Sequence, residues 1–143
     1  MRPMKLVLAV DGSPVSARCA RHVAKLAKQL SVPPKILLLT ADPSMMPGVE
    51  RKLGAAALRR YHQENAEYAF REARAILQRA GLEFEESLVV GDPHVEIVRA
   101  CGPRRCDLLV MGSRGRGAVA SALLGSVALK VLATSKVPVT LVR

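Results

Sequence analysis

Five short runs rich in branched and apolar residues punctuate the chain: KLVLAV (5–10), KILLLTA (35–41), FEESLVVG (84–91), DLLVMG (107–112) and VPVTLVR (137–143). Between them lie stretches whose apolar residues recur at helical spacing. Short apolar runs bounded by turn signals read as strands, and their alternation with helices gives the order β-α-β-α-β-α-β-α-β. That order constrains the fold more than any other feature, because it demands a parallel sheet with helices on both faces and right-handed crossovers. The 143 residues suffice for one well-filled core and not for two. One α/β domain spanning residues 1–143 is expected.

The helical stretches carry their own start and stop signals. After the first strand, Ser13 can cap a helix and Pro14 suits its first turn. Val15, Cys19, Val23, Leu26 and Leu30 form its apolar stripe, with Arg18, Arg21, Lys25 and Lys28 largely on other faces. DPSMMPGVERK (42–52) reads as a polar loop punctuated by Pro and Gly. A long helix then runs from about Leu53 to Ala80, with Leu58, Tyr61, Ala69, Ala73, Ile76 and Leu77 inward and Gly81 as its stop. DPHVEIVRAC (92–101) gives a short helix, Asp92 its cap and Pro93 its first residue. A last helix is expected from about Ser126 to Thr134.

Composition narrows the function classes. Against 12 acidic residues stand 22 Lys and Arg, a net charge of +10 that favours anionic partners. The positive residues are dispersed, and the aromatic residues are Tyr61, Tyr68, Phe70 and Phe84 alone, so stacking platforms for single-stranded nucleic acid are scarce. No recognition-helix or zinc-finger pattern appears, which argues against nucleic acid as the partner. No apolar run approaches the ~18 residues of a membrane span, so no membrane association is expected. The N-terminal apolar stretch is shorter than a secretory core of ~7–15 residues and lacks a small-residue cleavage site, so it reads as a strand of a cytoplasmic protein. Cys19, Cys101 and Cys106 are an odd count without C-x-x-C spacing and read as buried thiols rather than a disulfide framework or zinc site. His22, His62 and His94 show no ligand or triad spacing and read as surface or helix residues.

MGSRGRGAVASALLGS (111–126) carries the chemistry. Glycine bares backbone N–H groups to an anion and tolerates positive φ, and phosphates bind such clusters best where a helix N-terminus adds its partial charge. The spacing matches neither G-x-G-x-x-G nor G-x-x-x-x-G-K-[ST], which excludes a Rossmann fingerprint and a Walker-type loop. On its own the stretch fits a tight turn with solvated Arg114 and Arg116 as well as a phosphate cradle. Asp11 before Gly12 can likewise simply organise a turn.

The pattern that does fit is G-x2-G-x9-G-[ST], met by Gly112, Gly115, Gly125 and Ser126. With VLAVDGSP, GDPHVEIVRA, CDLLVMGSRGRG, LLGSVALKVL and VPVTLVR in the same order, the chain resembles the universal stress protein family, in its nucleotide-binding branch, over nearly its whole length. The resemblance implies an open five-stranded parallel sheet of order 3-2-1-4-5, an adenine nucleotide alpha hydrolase-like fold, with ATP or AMP in the crevice between the first and fourth strands. It implies that Val10 and Asp11 meet the adenosine end, that Ala41 lines the base pocket and that Met111 packs near the nucleoside. It further implies that Gly112, Arg114, Gly115, Gly125, Ser126 and Val127 surround the ribose and phosphates. Magnesium, where ATP brings it, would meet Asp11. The chain departs from many relatives at Thr40, where they carry histidine.

The expected function is that of a nucleotide-responsive regulator in stress adaptation. Nucleotide would order the glycine loop, changing a surface that a regulatory protein partner reads, while the 42–52 segment reads rather as an ordinary mobile loop than as a second responsive one. Two alternatives stand beside it: a slow ATPase or phosphotransfer protein, and a partner-binding module without nucleotide. Asp11 is the one carboxylate expected beside the ligand, a thin basis for both magnesium binding and base catalysis, so no residue is assigned a catalytic role. The last strand (137–142), with Pro138 tolerated at an edge, is expected to pair with its counterpart in a homodimer, as the resemblance also implies.

Overall fold

All five expected strands form in the computed structural model, which describes residues 1–115 and 123–143. They are β1 (Lys5–Ala9), β2 (Lys35–Asp42), β3 (Phe84–Val90), β4 (Leu108–Gly112) and β5 (Val139–Val142). Every pairing is parallel and the order is β3-β2-β1-β4-β5, the order that the resemblance implies. Residues 116–122, with Arg116, lie outside the described residues.

Five described helices connect these strands: α1 (Pro14–Ala27), α2 (Pro47–Leu53), α3 (Ala55–Arg79), α4 (Pro93–Ala100) and α5 (Ser126–Thr134). Side chains alternate across the sheet, so each face builds its own core. Leu6, Leu8 and Val10 of the first strand segment pack with Leu38 and Val110 against Cys19 and Val23 of α1 and Phe70, Ala73 and Leu77 of α3. Val7, Ala9, Leu39, Leu109 and Met111 face the other way, against Ile97 of α4 and Ala128 and Val131 of α5. Leu8, Leu38 and Leu109 are fully buried, each contributing about 1.5–3 kcal/mol of apolar burial.

The connections from β1 to β2 to β3 step towards one edge, whereas β4 lies on the other side of β1. The chain segments leaving β1 and β4 therefore diverge to opposite faces. A crevice opens between them at the carboxyl ends of the strands.

Three expectations are corrected. Residues 42–52 are not all loop: Pro47–Leu53 form α2, a helix that buries none of its side chains. Proline is tolerated at the first helical position, so Pro47 starts a helix there instead of breaking one. Gly54, at φ +79°, separates α2 from α3. Secondly, Tyr61 points outward at 41% exposure, and His62 is buried in its place at 5%. The buried positions of α3, His62, Ala66, Ala69, Ala73 and Leu77, step by three and four residues; a polar residue at the first of them shifts the apparent phase of the stripe. Thirdly, Cys101 and Cys106 are joined in a disulfide across the turn from α4 to β4, their Cα atoms 4.9 Å apart, within the usual range for a bridge.

Cys19 is the free thiol, fully buried under α1. Burial, with the nearby Asp11 charge adding to it, pushes its thiol up to about 12, so the thiolate that reacts is nearly absent at neutral pH. Thiol titration of native protein without reductant should find no fast-reacting cysteine, and unfolding should release one. Prompt labelling of Cys19 in the native state would contradict this packing.

Candidate functional site

The segment between β1 and α1 is held by a compact hydrogen-bond set. The Val10 amide donates to the Leu39 carbonyl at 2.9 Å, extending the first strand by a residue. The Asp11 carboxylate accepts through Oδ1 from the Ser13 amide at 2.9 Å and from the Ser16 hydroxyl at 3.0 Å, while Ser16 Oγ lies 3.0 Å from the Asp11 amide. This side-chain-to-backbone turn is the structural role that aspartate before glycine serves. Gly12 sits at φ +83°, and a Cβ there would lie 2.6 Å from the Tyr68 ring. Only glycine meets both demands.

Beyond β4 the chain makes an excursion and returns. The Ser113 amide donates to Val142 of β5 at 2.8 Å, and the Gly125 amide donates back to the Ser113 carbonyl at 2.7 Å. The last bond closes the excursion, setting Gly125 beside Arg114 and Gly115 at the start of α5. Space is short on both walls. A Cβ on Gly112 would lie 2.6 Å from Val15 Cγ1 of α1, and one on Gly115 would lie 2.7 Å from Asp11 Oδ2. The two connecting segments thus meet glycine to side chain.

Between them is a cavity of about 270 Å³. All ten residues expected at the site border it: Val10, Asp11, Ala41, Met111, Gly112, Arg114, Gly115, Gly125, Ser126 and Val127. Ala9, Ser13, Ser16, Pro93, Ile97 and Ala128 also line it, beyond what the sequence pattern indicated. Pro93 and Ile97 were legible only as parts of a short helix; the DP pair after the third strand marked a helix start at the same end of the sheet. Ser126 is the first residue of α5, and Gly125 holds the cap position. Thr40, where the family pattern often has histidine, is buried and does not border the cavity.

The electrostatics follow from three helix N-termini. α1, α4 and α5 each begin at this cavity, with Ser13, Pro93 and Ser126 on its wall. Ser13, Asp92 and Gly125 stand at the three cap positions, and none makes a side-chain cap bond. Asp92 instead pairs with His94 at 2.8 Å. First-turn amides carry partial positive charge and bind anions readily. Val10, Ala41, Ile97, Met111 and Val127 add apolar surface to the same cavity. Asp11 is the one carboxylate among the described lining residues. Among the described residues no group of three or more His, Cys, Asp or Glu is arranged to hold a metal ion.

A second polar cluster was missed from sequence. His62 of α3 and Asp42 at the end of β2 lie 2.5 Å apart, Nδ1 to Oδ2, and Asn65 donates to the same oxygen at 3.0 Å. Both ionisable side chains are more than nine-tenths buried, on the α3 face of the sheet. They clamp α3 onto the strand that carries Ala41, away from the cavity. The signal available was the helical spacing from His62 to Ala66 and Ala69.

With this geometry in hand, comparison with known proteins is specific. The model of the family described as the universal stress protein family matches residues 3–143. A universal stress protein of Thermus aquaticus is 37% identical over 139 residues, covering 96% of this chain and 97% of its own. A universal stress protein solved in complex with cAMP is similar at 29% identity and TM-score 0.70, covering 98% of this chain and 97% of its own. One from Archaeoglobus fulgidus, solved in complex with dAMP, is similar at 25% identity and TM-score 0.68, covering the whole of both chains. Among the described residues no helix is long and apolar enough to cross a membrane.

Proposed function

The chain belongs to the universal stress protein family, and from that premise we propose that it binds ATP or AMP in the crevice between β1 and β4. One observation carries the reading: three helix N-termini and the glycine backbone border one cavity that Val10, Ala41 and Met111 also line with apolar side chains. Its volume of about 270 Å³ lies near the lower bound of small-molecule pockets, about 300 Å³. That suits a nucleoside, with the phosphates continuing past Gly115 and Gly125. Relatives of similar fold were solved with cAMP and dAMP, which supports an adenine nucleotide.

In this reading Val10, Ala41 and Met111 enclose the adenosine, and Gly112, Gly115, Gly125, Ser126 and Val127 present amides to the phosphates. Arg114 adds positive charge beside them. The Asp11 carboxylate holds the β1–α1 turn and accepts from the ligand where its geometry allows. Magnesium fits only as a passenger of the phosphates, since it is commonly held by one or two carboxylates plus substrate oxygens and Asp11 alone is at hand. Binding rather than turnover is the proposed role: a cytoplasmic, nucleotide-responsive regulator in stress adaptation. The assembly proposed is a homodimer through β5, an edge strand whose described partner is β4 alone.

Native mass spectrometry of protein purified without added nucleotide tests both parts together. The expected spectrum shows twice the 15.4 kDa of one chain with adenine nucleotide attached. Single chains at micromolar concentration would overturn the dimer. A ligand-free protein that also takes up no added AMP or ATP would overturn the nucleotide reading.

A further inference from the structure

The two faces of the sheet are unequally covered. β2 and β3 pair in the register Leu37 to Glu85, Leu39 to Ser87 and Ala41 to Val89, which puts these side chains on the α4 face. On the opposite face Phe84 and Leu88 pack into the layer of α1 and α3. α4 packs more on β2 than on β3, and beside it a groove of about 1420 Å³ runs down to the N-terminal ends of β1 and β2. It is a second site, at the other end of the strands from the nucleotide cavity.

Its chemistry is directional. The β2 side of the floor is apolar, with Leu37 half-buried, whereas Glu85 and Ser87 of β3 share the face with half-buried Val89. Lys35, Arg104 and Arg105 stand exposed along one rim and form no ion pair among the described residues. The volume exceeds the ~300–1,000 Å³ of small-molecule pockets. A doubly wound sheet ordinarily carries helices across both faces, and this stretch has none among the described residues.

We propose that the groove docks an amphipathic helix of a partner protein, apolar towards Leu37 and Val89 and acidic along the flank that meets Arg104 and Arg105. Helices commonly dock in such apolar grooves through one face. The glutamates at 83 and 85 line the β3 side of the groove, so the acidic flank of the helix is turned to Arg104 and Arg105 and away from them. α4 also forms part of the nucleotide cavity through Pro93 and Ile97, and part of the groove through Arg99 and Ala100. It is a shared wall through which one site can sense the other. That link rests on the nucleotide reading; the docking does not, so it is measured with no nucleotide present.

The probe is a fluorescein-labelled helical peptide with a leucine face flanked by glutamates, read by anisotropy at physiological ionic strength. A version with lysine for glutamate is the comparison. The double variant Arg104→Glu/Arg105→Glu should weaken the acidic peptide about tenfold or more, because two favourable charge contacts become repulsive. Arg18→Glu/Arg21→Glu, an equal charge change on exposed α1 positions, should stay within about twofold. Ser87→Trp, which fills the floor without altering charge, should weaken binding similarly while its circular dichroism melt confirms folding. Equal losses in both double variants, equal affinity for the lysine peptide, or no binding at all would overturn the proposal. So would a Ser87→Trp protein of reduced oligomeric mass, since the groove would then join copies of this chain. Displacement of the peptide by a single-stranded oligonucleotide that binds it more tightly would do the same.

Discussion

Gly115→Val should weaken AMP binding about thirty- to a hundredfold in titration calorimetry while leaving the protein folded. The site for its Cβ lies 2.7 Å from Asp11 Oδ2. The carboxylate cannot swing away without cost, because its other oxygen is held by the Ser13 amide and the Ser16 hydroxyl. Relief therefore comes from the loop, which moves off the phosphate path and takes amide donors with it. Losing one or two hydrogen bonds to a charged group costs about 2–3 kcal/mol, and each 1.4 kcal/mol is about tenfold in affinity. Gly115 is exposed, so the cost to stability is small. Gly48→Ala is the matched control, since nothing lies within 4 Å of the Cβ position there, and it should leave affinity unchanged. Wild-type affinity in Gly115→Val would contradict the phosphate path.

Asp42→Ala should cost about 2–4 kcal/mol of stability in chemical denaturation, since it removes the hydrogen-bond partner of a buried ring nitrogen and of a half-buried amide at about 1–3 kcal/mol each. The loss is large because His62 Nδ1 and the Asn65 amide both converge on Asp42 Oδ2. His62 Nε2 has no hydrogen-bond partner among the described residues. Leaving a buried polar group unsatisfied costs more than replacing both partners with apolar ones. Asp42→Leu/His62→Leu should accordingly recover much of the loss. A single-variant cost below about 1 kcal/mol would contradict the clamp between α3 and β2.

The strands were legible because their evidence is local, whereas their order came from the family resemblance. Val, Ile and Leu runs buried on both faces leave no competing period, and the glycines at 12, 112 and 115 occur where a turn or a close approach forbids a side chain. The ten residues expected from the family resemblance all border one cavity, because the motif segments it rests on end β1, β2 and β4 and begin α5. What was missed depends on contacts distant in sequence. Pro47 reads as a breaker until the chain around it is seen to be helical. His62 reads as polar until Asp42 is seen to face it across 20 residues. Cys101 and Cys106 read as separate thiols until the turn at Gly102 folds them together. The groove is invisible in sequence for a further reason: it is the part of a sheet face that α4 does not reach.

The central claim is tested most directly by a crystal structure of the protein grown with AMP. The account predicts the adenosine between Ala41 and Met111, and the phosphate within hydrogen-bond distance of the Gly115 amide or the first-turn amides of α5. A cavity closed by the protein's own side chains at saturating AMP, or a nucleotide bound elsewhere on the chain, would contradict it.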